Sequence, residues 1–296
     1  MIDFLKYRVA CAVYSVVLIA TFAGTYIYKA HTRGGQAFTY SIDFTGGTQV
    51  RLKFDKPVSS NNLKEIVEKS GWQGAVIRDF SSQEVLVRVK EFSNDSKGLG
   101  QRIVQAIQAG MPDNNVELQE SESVGAGVGA TLRYKSMRAV IIGLIAMLLY
   151  IAIRFWSFAF AAGAVVALAH DAIVIVAVFL FLDKEISINL IGAILAVLGY
   201  SINDTIVIFA RIRENFKKMP GKSTYEVVNT SINQTLRRTL LTSFATALTA
   251  GSMCLLGGEV LRDFSLALLI GIVFGTYSSI YIASPVMMLL YKEPKK

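Results

Sequence analysis

An aspartate stands inside the fourth long apolar run of the chain, in the polar segment Gly199 to Thr205. At a helical rise of 1.5 Å per residue, Asp204 lies about 10 Å in from Arg211, the first charge that follows it. An ionised carboxylate at such depth in a bilayer costs roughly 2.5 to 3.5 kcal/mol, so Asp204 should be protonated, paired or beside a wet cavity. Burial favours the neutral form and a nearby cation favours the ionised form, so this aspartate is suited to take up and release a proton.

The candidate cation lies at the start of the fifth apolar run, in the segment Thr235 to Thr239. A helix that enters the membrane there can carry Arg237 or Arg238 inward, and the spacing does not decide which one pairs with Asp204. The alternative is that both arginines extend to the lipid headgroups. A purely structural hydrogen-bonding role also stays open for Asp204.

A second polar site in an apolar run is the pair His170 and Asp171, which favours either a secondary proton relay or a hydrogen bond between helices. No metal-ligand cluster, phosphate-binding loop or nucleophile motif occurs in the sequence. The sequence therefore predicts no enzyme, no metal and no bound cofactor.

The elements that must position these residues are membrane spans. Hydrophobic residues make up 53% of the 296 residues, above the roughly 45 to 50% of soluble domains. The first run, Val9 to Tyr28, exceeds the 7 to 15 residues of a signal-peptide core and is predicted to be a retained anchor. Five further runs bring the prediction to six transmembrane helices, at about 139–153, 156–182, 188–210, 239–257 and 264–291.

Between the first two spans lies a polar stretch, 30–138, that alternates strand and helix patterns. Strands are predicted at Thr48 to Phe54, Ala75 to Phe80, Glu84 to Lys90 and Val116 to Glu120, with one helix ending at Gly71 and another near Gly110. The order strand, helix, strand, strand, helix, strand is the split ferredoxin-like arrangement. The predicted fold is thus a six-span α-helical membrane protein with an inserted α+β domain.

Basic residues predict the orientation of the spans. With a cytoplasmic N-terminus, thirteen lysines and arginines fall on inside segments and two on the short outside loops. This is a positive-inside bias. It also accounts for the net charge of +8 without a nucleic-acid partner. Both termini are then cytoplasmic, including the tail 292–296 with Lys292, Lys295 and Lys296, and the inserted domain is external. The connector 211–238 is predicted to form a basic helix on the cytoplasmic membrane surface, restarting near Ser223 with Glu226 as capping partner.

Five segments together resemble the SecF family of protein-export membrane proteins, in the resistance-nodulation-division superfamily. The resemblance covers nearly the whole chain, including the six-span layout with one inserted domain. The segments are Ile42 to Gly47, Gly199 to Thr205, Arg211 to Asn215, Arg237 to Thr239 and Gly271 to Ser284.

This resemblance implies a subunit that pairs with SecD and assists the SecYEG channel, with YajC and YidC as further partners. The pair would use the proton motive force to drive or complete preprotein export across the bacterial cytoplasmic (inner) membrane, with protons as the coupling ion. The resemblance assigns proton coupling to Asp204 and Arg238, with Asn203 beside them. The family motif of the inserted domain is suited to act as a hinge, because its glycines permit a tight turn. The motif consists of Asp43, Phe44, Thr45, Gly46 and Gly47.

Two residues depart from the family pattern. Ala210 stands where the family has an aspartate, which puts in doubt a contact to the surface helix. Ala126 stands where it has a proline, so the run Gly125 to Gly129 is expected to be a flexible link.

Two other functions compete with an export motor. A proton-coupled small-molecule exporter shares the polar intramembrane pair, but it needs a substrate pocket for which one domain with few aromatic residues is poorly suited. A scaffold that uses Asp204 only to hold helices together is the other alternative.

Overall fold

The computed structural model describes residues 1–291 and contains two compact units. One, the membrane unit, comprises Met1–Thr39 and the described residues from Arg138 to 291; the other, the α+β domain, is Tyr40–Met137. Lys292, Lys295 and Lys296, with the predicted cytoplasmic tail, lie outside the described residues.

Within residues 1–291, six helical segments are long and apolar enough to cross a bilayer, which agrees with the predicted six spans. In the most apolar stretches of α6 (Phe158–Phe181) and α7 (Ile188–Lys218) more than half of the residues are buried. In those of α1 (Arg8–Thr32) and α5 (Ala126–Phe155) only 6% are buried. The membrane unit is therefore built around α6 and α7. The helices are α1 (Arg8–Thr32), α5 (Ala126–Phe155), α6 (Phe158–Phe181), α7 (Ile188–Lys218), α8 (Thr224–Leu256), and α9 (Gly258–Ser278), which continues through a π-helical turn (Ser279–Ala283) into α10 (Ser284–Leu290).

The flexible link predicted at Gly125 to Gly129 is not observed, because α5 already begins at Ala126. The amide of Gly129 donates to the carbonyl of Gly125 over 3.0 Å, which closes the first helical turn. Gly127 and Gly129, two of the three glycines of the run, lie inside this helix, although each costs about 1 kcal/mol relative to alanine. The first turn packs tightly against Phe44 and Gly46, so tertiary packing and not local propensity keeps it helical.

The predicted surface helix at 211–238 is also not observed as a separate element. Residues 211–218 are the end of α7, and residues from Thr224 are the start of α8. The two helices are separated by a turn in which Gly221 has a φ of 85°. The predicted capping box is confirmed: the Ser223 hydroxyl accepts from the Glu226 amide, and the Glu226 carboxylate accepts from the Ser223 amide. Since no helix breaker follows this cap for several turns, the helix runs directly into the span.

The α+β domain has the predicted order of strands and helices. Its four strands are β1 (Gly47–Phe54), β2 (Val76–Asp79), β3 (Glu84–Val89) and β4 (Val116–Val124). They form one antiparallel sheet in the order β2-β3-β1-β4. The apolar faces of α3 and α4 cover this sheet, with fully buried side chains that include Leu63, Val87 and Ile103. The elements are α2 (Ile42–Thr45), β1 (Gly47–Phe54), α3 (Ser60–Lys69), β2 (Val76–Asp79), β3 (Glu84–Val89), α4 (Ser96–Gly110) and β4 (Val116–Val124).

The segment Asp43 to Gly47 forms the end of the short helix α2 and the entry to β1. Gly46 and Gly47 have φ values of 75° and 114°, in the region that favours glycine. A Cβ on Gly46 would lie 2.6 Å from the Cα of Ala126, so the turn packs directly against the first turn of α5. The Asp43 carboxylate accepts a hydrogen bond of 2.8 Å from the Ser41 hydroxyl. The tight turn is as predicted, and its use as a hinge stays a prediction.

An ion-pair cluster joins the C-terminal end of α1 to the turn after α6. The Asp183 carboxylate accepts two hydrogen bonds of 2.8 Å from the Arg33 guanidinium and one of 3.2 Å from Lys29. The hydrogen bonds from Arg33, supported by those from Lys29, lower the pKa of Asp183 from 3.8 to about 2.

Because this pKa is lower in the folded protein, the cluster should stabilise the fold above about pH 4 and lose its effect as the pH falls towards 2. The expected contribution is at most about 1 kcal/mol, since the Asp183 side chain is half exposed. The midpoint of thermal unfolding in detergent, measured at pH 5 and at pH 3, should fall more for the native chain than for Asp183→Asn. Equal falls would contradict the assignment.

Candidate functional site

Asp204 lies on the buried face of α7, with 4% of its surface exposed. Its Oδ2 atom is 3.4 Å from the hydroxyl of Ser243 on α8, which is in turn 2.8 Å from the hydroxyl of Thr276 on α9. Thr276 also donates to the carbonyl of Ile272 at 3.0 Å. Three helices therefore meet at the carboxyl group through hydroxyls and not through a salt bridge.

The direction of the Ser243 hydroxyl depends on whether Asp204 is protonated or ionised. When Thr276 donates to Ile272, the single hydrogen of Ser243 serves either Asp204 or Thr276. A protonated Asp204 can donate to Ser243, which then donates to Thr276, and every group in the chain has a partner. An ionised Asp204 requires the Ser243 hydroxyl to turn towards it. The site can therefore accept either form through rotation of one hydroxyl.

The predicted partners of Asp204 are exposed, unlike Asp204 itself. Arg237 and Arg238 are both exposed on α8, and neither forms a salt bridge with Asp204 in the described part of the chain. Asn203 is exposed on the opposite face of α7, so the structure does not bring it into the network.

His170 and Asp171 form a second buried polar cluster, centred on α6. The Oδ2 atom of Asp171 accepts from the hydroxyls of Ser201 on α7, at 2.7 Å, and Ser278 on α9, at 2.9 Å. The Nδ1 atom of His170 lies 3.4 Å from the other carboxylate oxygen, and its buried Nε2 atom has no hydrogen-bond partner among the described residues. Asp171 thus holds helices α6, α7 and α9 together, whichever further role it has.

The two clusters are neighbours, because Ser201 and Asp204 are three residues apart on α7 and therefore share a face. A third contact continues the polar seam, between the hydroxyls of Thr205 and Ser279 at 2.8 Å. The helices approach closely here: a Cβ on Gly275 would lie 2.9 Å from the Ser201 side chain. The π-helical turn begins at Ser279, beside this seam.

Sequence reasoning identified both carboxylates and missed the hydroxyls that surround them. A spacing of one helical turn between hydroxyl residues, as for Ser201 and Thr205, is only a partial signal for them, because it does not show which helices lie side by side. The hydroxyl residues of the site are Ser201 and Thr205 on α7, Ser243 on α8, and Thr276, Ser278 and Ser279 on α9 and the following turn.

A multi-pass bundle with carboxylates buried in a polar seam, together with an α+β domain placed after the first span, defines a membrane-transport class of protein. Comparison with family models agrees. Residues 103–293 match the C-terminal region of the protein export membrane proteins SecD/SecF, and residues 34–58 match the SecD/SecF GG motif, which contains Gly46 and Gly47.

Two individual relatives are both protein translocase subunits named SecF. The protein translocase subunit SecF of Vibrio alginolyticus is 38% identical over 98% of this chain and 90% of its own length. That of Escherichia coli O157:H7 is 36% identical over 87% of this chain and 80% of its own length. The chain belongs to the SecF family of protein translocase subunits.

Solved structures match as well. The crystal structure of SecDF from Thermus thermophilus, described as a translocon-associated membrane protein, superposes with a TM-score of 0.85 at 37% identity. A super-membrane-facing form of SecDF gives 0.69. Each match covers 97% of this chain and only 38% of the SecDF chain. In that organism the SecF-like part is thus joined to a SecD part in one polypeptide.

Proposed function

We propose that this chain works with SecD to drive or complete the export of preproteins through SecYEG, and that it draws on proton flow to do so. The observation that carries the proposal is Asp204, a carboxyl buried in a membrane span and surrounded by hydroxyls that suit both of its protonation states. The family of the chain supports the export role.

The proposed coupling is an exchange at Asp204. In the ionised state, the carboxylate is stabilised by Ser243 and by the charge of Arg238. In the protonated state it donates to Ser243 and no longer attracts the arginine, so the local packing of α7, α8 and α9 has a different optimum. Each proton that moves down 100 mV supplies about 2.3 kcal/mol, which is enough to shift a two-state element by more than tenfold.

The cluster at Asp171 is the candidate for a secondary relay in this mechanism. Its Ser201 partner shares a helix face with Asp204, and the unpartnered Nε2 atom of His170 offers a further site for a proton. The motion would be passed to the α+β domain, with Asp43 to Gly47 as hinge.

The proposed location is the bacterial cytoplasmic membrane, with both termini in the cytoplasm and the α+β domain in the periplasm. The distribution of basic residues supports this orientation. YajC and YidC complete the proposed set of partners, on the resemblance to the family alone. No bound cofactor is proposed beyond the coupling proton.

The proposal is tested by export of a secretory precursor into inverted membrane vesicles that contain SecYEG and SecD, with or without this chain. An imposed proton gradient should stimulate export about tenfold only when the chain is present, and a protonophore should abolish the stimulation. A chain that raises export equally with and without the gradient would be a scaffold. Extrusion of small amphiphiles with no effect on precursor export would favour an exporter instead.

A further inference from the structure

A groove between α1 and α10 opens on the surface of the membrane unit. Its volume is about 590 Å³, within the range of roughly 300 to 1,000 Å³ that is typical of small-molecule sites. The walls are apolar, and the side chains of α1 that form them are small. They include Val9, Ala12, Val13 and Val16 on α1, and Pro285 and Met288 on α10.

The groove is a fixed feature, because α1 is anchored beside it. The hydroxyl of Tyr277 on α9 donates to the carbonyl of Cys11 at 2.7 Å and lies 3.0 Å from the hydroxyl of Ser15. Cys11 and Ser15 therefore hold one face of α1 against the bundle, while the neighbouring face, with Ala12 and Val16, lines the groove.

One end of the groove carries a positive charge. Arg8, the first residue of α1, lines it and is exposed, with its guanidinium 5.4 Å from the ring centre of Tyr225. Among the residues that the structure describes, no carboxylate lies within salt-bridge distance of Arg8. The Oδ1 atom of Asp3 accepts from the hydroxyl of the same Tyr225 and from the Lys6 amide.

We propose that this groove binds one acidic phospholipid, with an acyl chain along α1 and the headgroup phosphate on Arg8. The lining from Arg8 to Val17 extends about 14 Å along the helix axis, the direction in which an acyl chain runs from the bilayer surface. A lipid tail gains little by leaving other lipid tails for an apolar protein surface. The preference for this occupant must therefore come from the charge at the end, and an unpaired arginine at the interface selects a phosphate-bearing anion.

The experiment uses the purified full-length protein in detergent, mixed with phosphatidylglycerol or with phosphatidylcholine and analysed by native mass spectrometry. We expect the native chain to retain one phosphatidylglycerol in preference to phosphatidylcholine. Arg8→Gln should weaken that binding about fivefold, whereas Lys217→Gln, which removes another exposed cation, should not. Ala12→Trp keeps Arg8 and fills the groove, so it should also remove the bound lipid, and Ile145→Trp on the exposed face of α5 should leave it in place.

Each variant must elute and unfold like the native chain to be scored, and the two groove variants are independent of one another. Equal retention of the two lipids, or loss of phosphatidylglycerol by the control variants as well, would overturn the proposal. The proposal would also be overturned if Ala12→Trp left lipid retention unchanged and abolished copurification with SecD. The groove would then be a contact surface for a partner helix.

Discussion

Asparagine in place of Asp204 is expected to remove the roughly tenfold stimulation of export by a proton gradient. The protein should still insert and copurify with SecD. The amide keeps the size of the carboxyl and its hydrogen bond to Ser243 on the buried face of α7. It cannot take up or release a proton, and it carries no charge in either state of the site. The measurement is precursor export into inverted vesicles with and without an imposed gradient.

Asp263→Asn is the matched control, because it makes the same chemical change at another carboxylate. Asp263 lies near the start of α9 and pairs with Lys184. It should leave gradient stimulation unchanged. Full stimulation in Asp204→Asn would mean that Asp204 only holds helices together, as the scaffold alternative requires. Loss of SecD copurification in that variant would point to assembly and leave proton coupling without support.

Alanine in place of Gly163 is expected to lower the stability of the membrane unit by about 2 kcal/mol or more, the cost of overpacking a well-packed interior. A Cβ at this position on α6 would lie 2.5 Å from the carbonyl oxygen of Ala283 and 3.1 Å from the amide nitrogen of Met287. Both neighbours are backbone atoms, so no side-chain rotation relieves the contact. The midpoint of thermal unfolding in detergent should fall by several degrees.

Gly192→Ala is the control for this substitution. Gly192 is also helical, but a Cβ there meets no atom within 4 Å. Its replacement should therefore be neutral or slightly stabilising, since alanine is the better helix former by about 1 kcal/mol. If the two variants unfold at the same temperature, the close packing of α6 on the π-helical turn is not a determinant of stability.

The spans could be predicted from the sequence because a bilayer imposes one simple requirement, about 20 apolar residues for each helix. The helix ends were less predictable, since that requirement says nothing about where a helix continues into water. The helix α5 begins at Ala126 and α7 reaches Lys218, well outside their apolar runs. The good helix formers after Ala210 extend α7, whereas tertiary packing holds the first turn of α5, and apolarity alone reports neither.

The site was predictable only in part, for a different reason. A buried carboxylate is rare enough in an apolar run that Asp204 and Asp171 stand out. Ser243 and Thr276 do not, because serine and threonine are ordinary in membrane helices, and their importance comes from which helices lie side by side. The exposed position of Asn203 follows from the rotation of α7 about its axis, which no short motif specifies.

The π-helical turn, Ser279–Ala283, changes the phase of the last span. A π-helical turn contains one residue more than an α-helical turn, so the helix that follows is displaced by one residue, about 100° around the axis. Ser278 before the turn faces Asp171, Ser279 at its start faces Thr205, and Met287 beyond it faces Gly163. Removal of a single residue from Ser279–Ala283 would restore a continuous α-helix, and it would turn one of these two contact surfaces away from its partner.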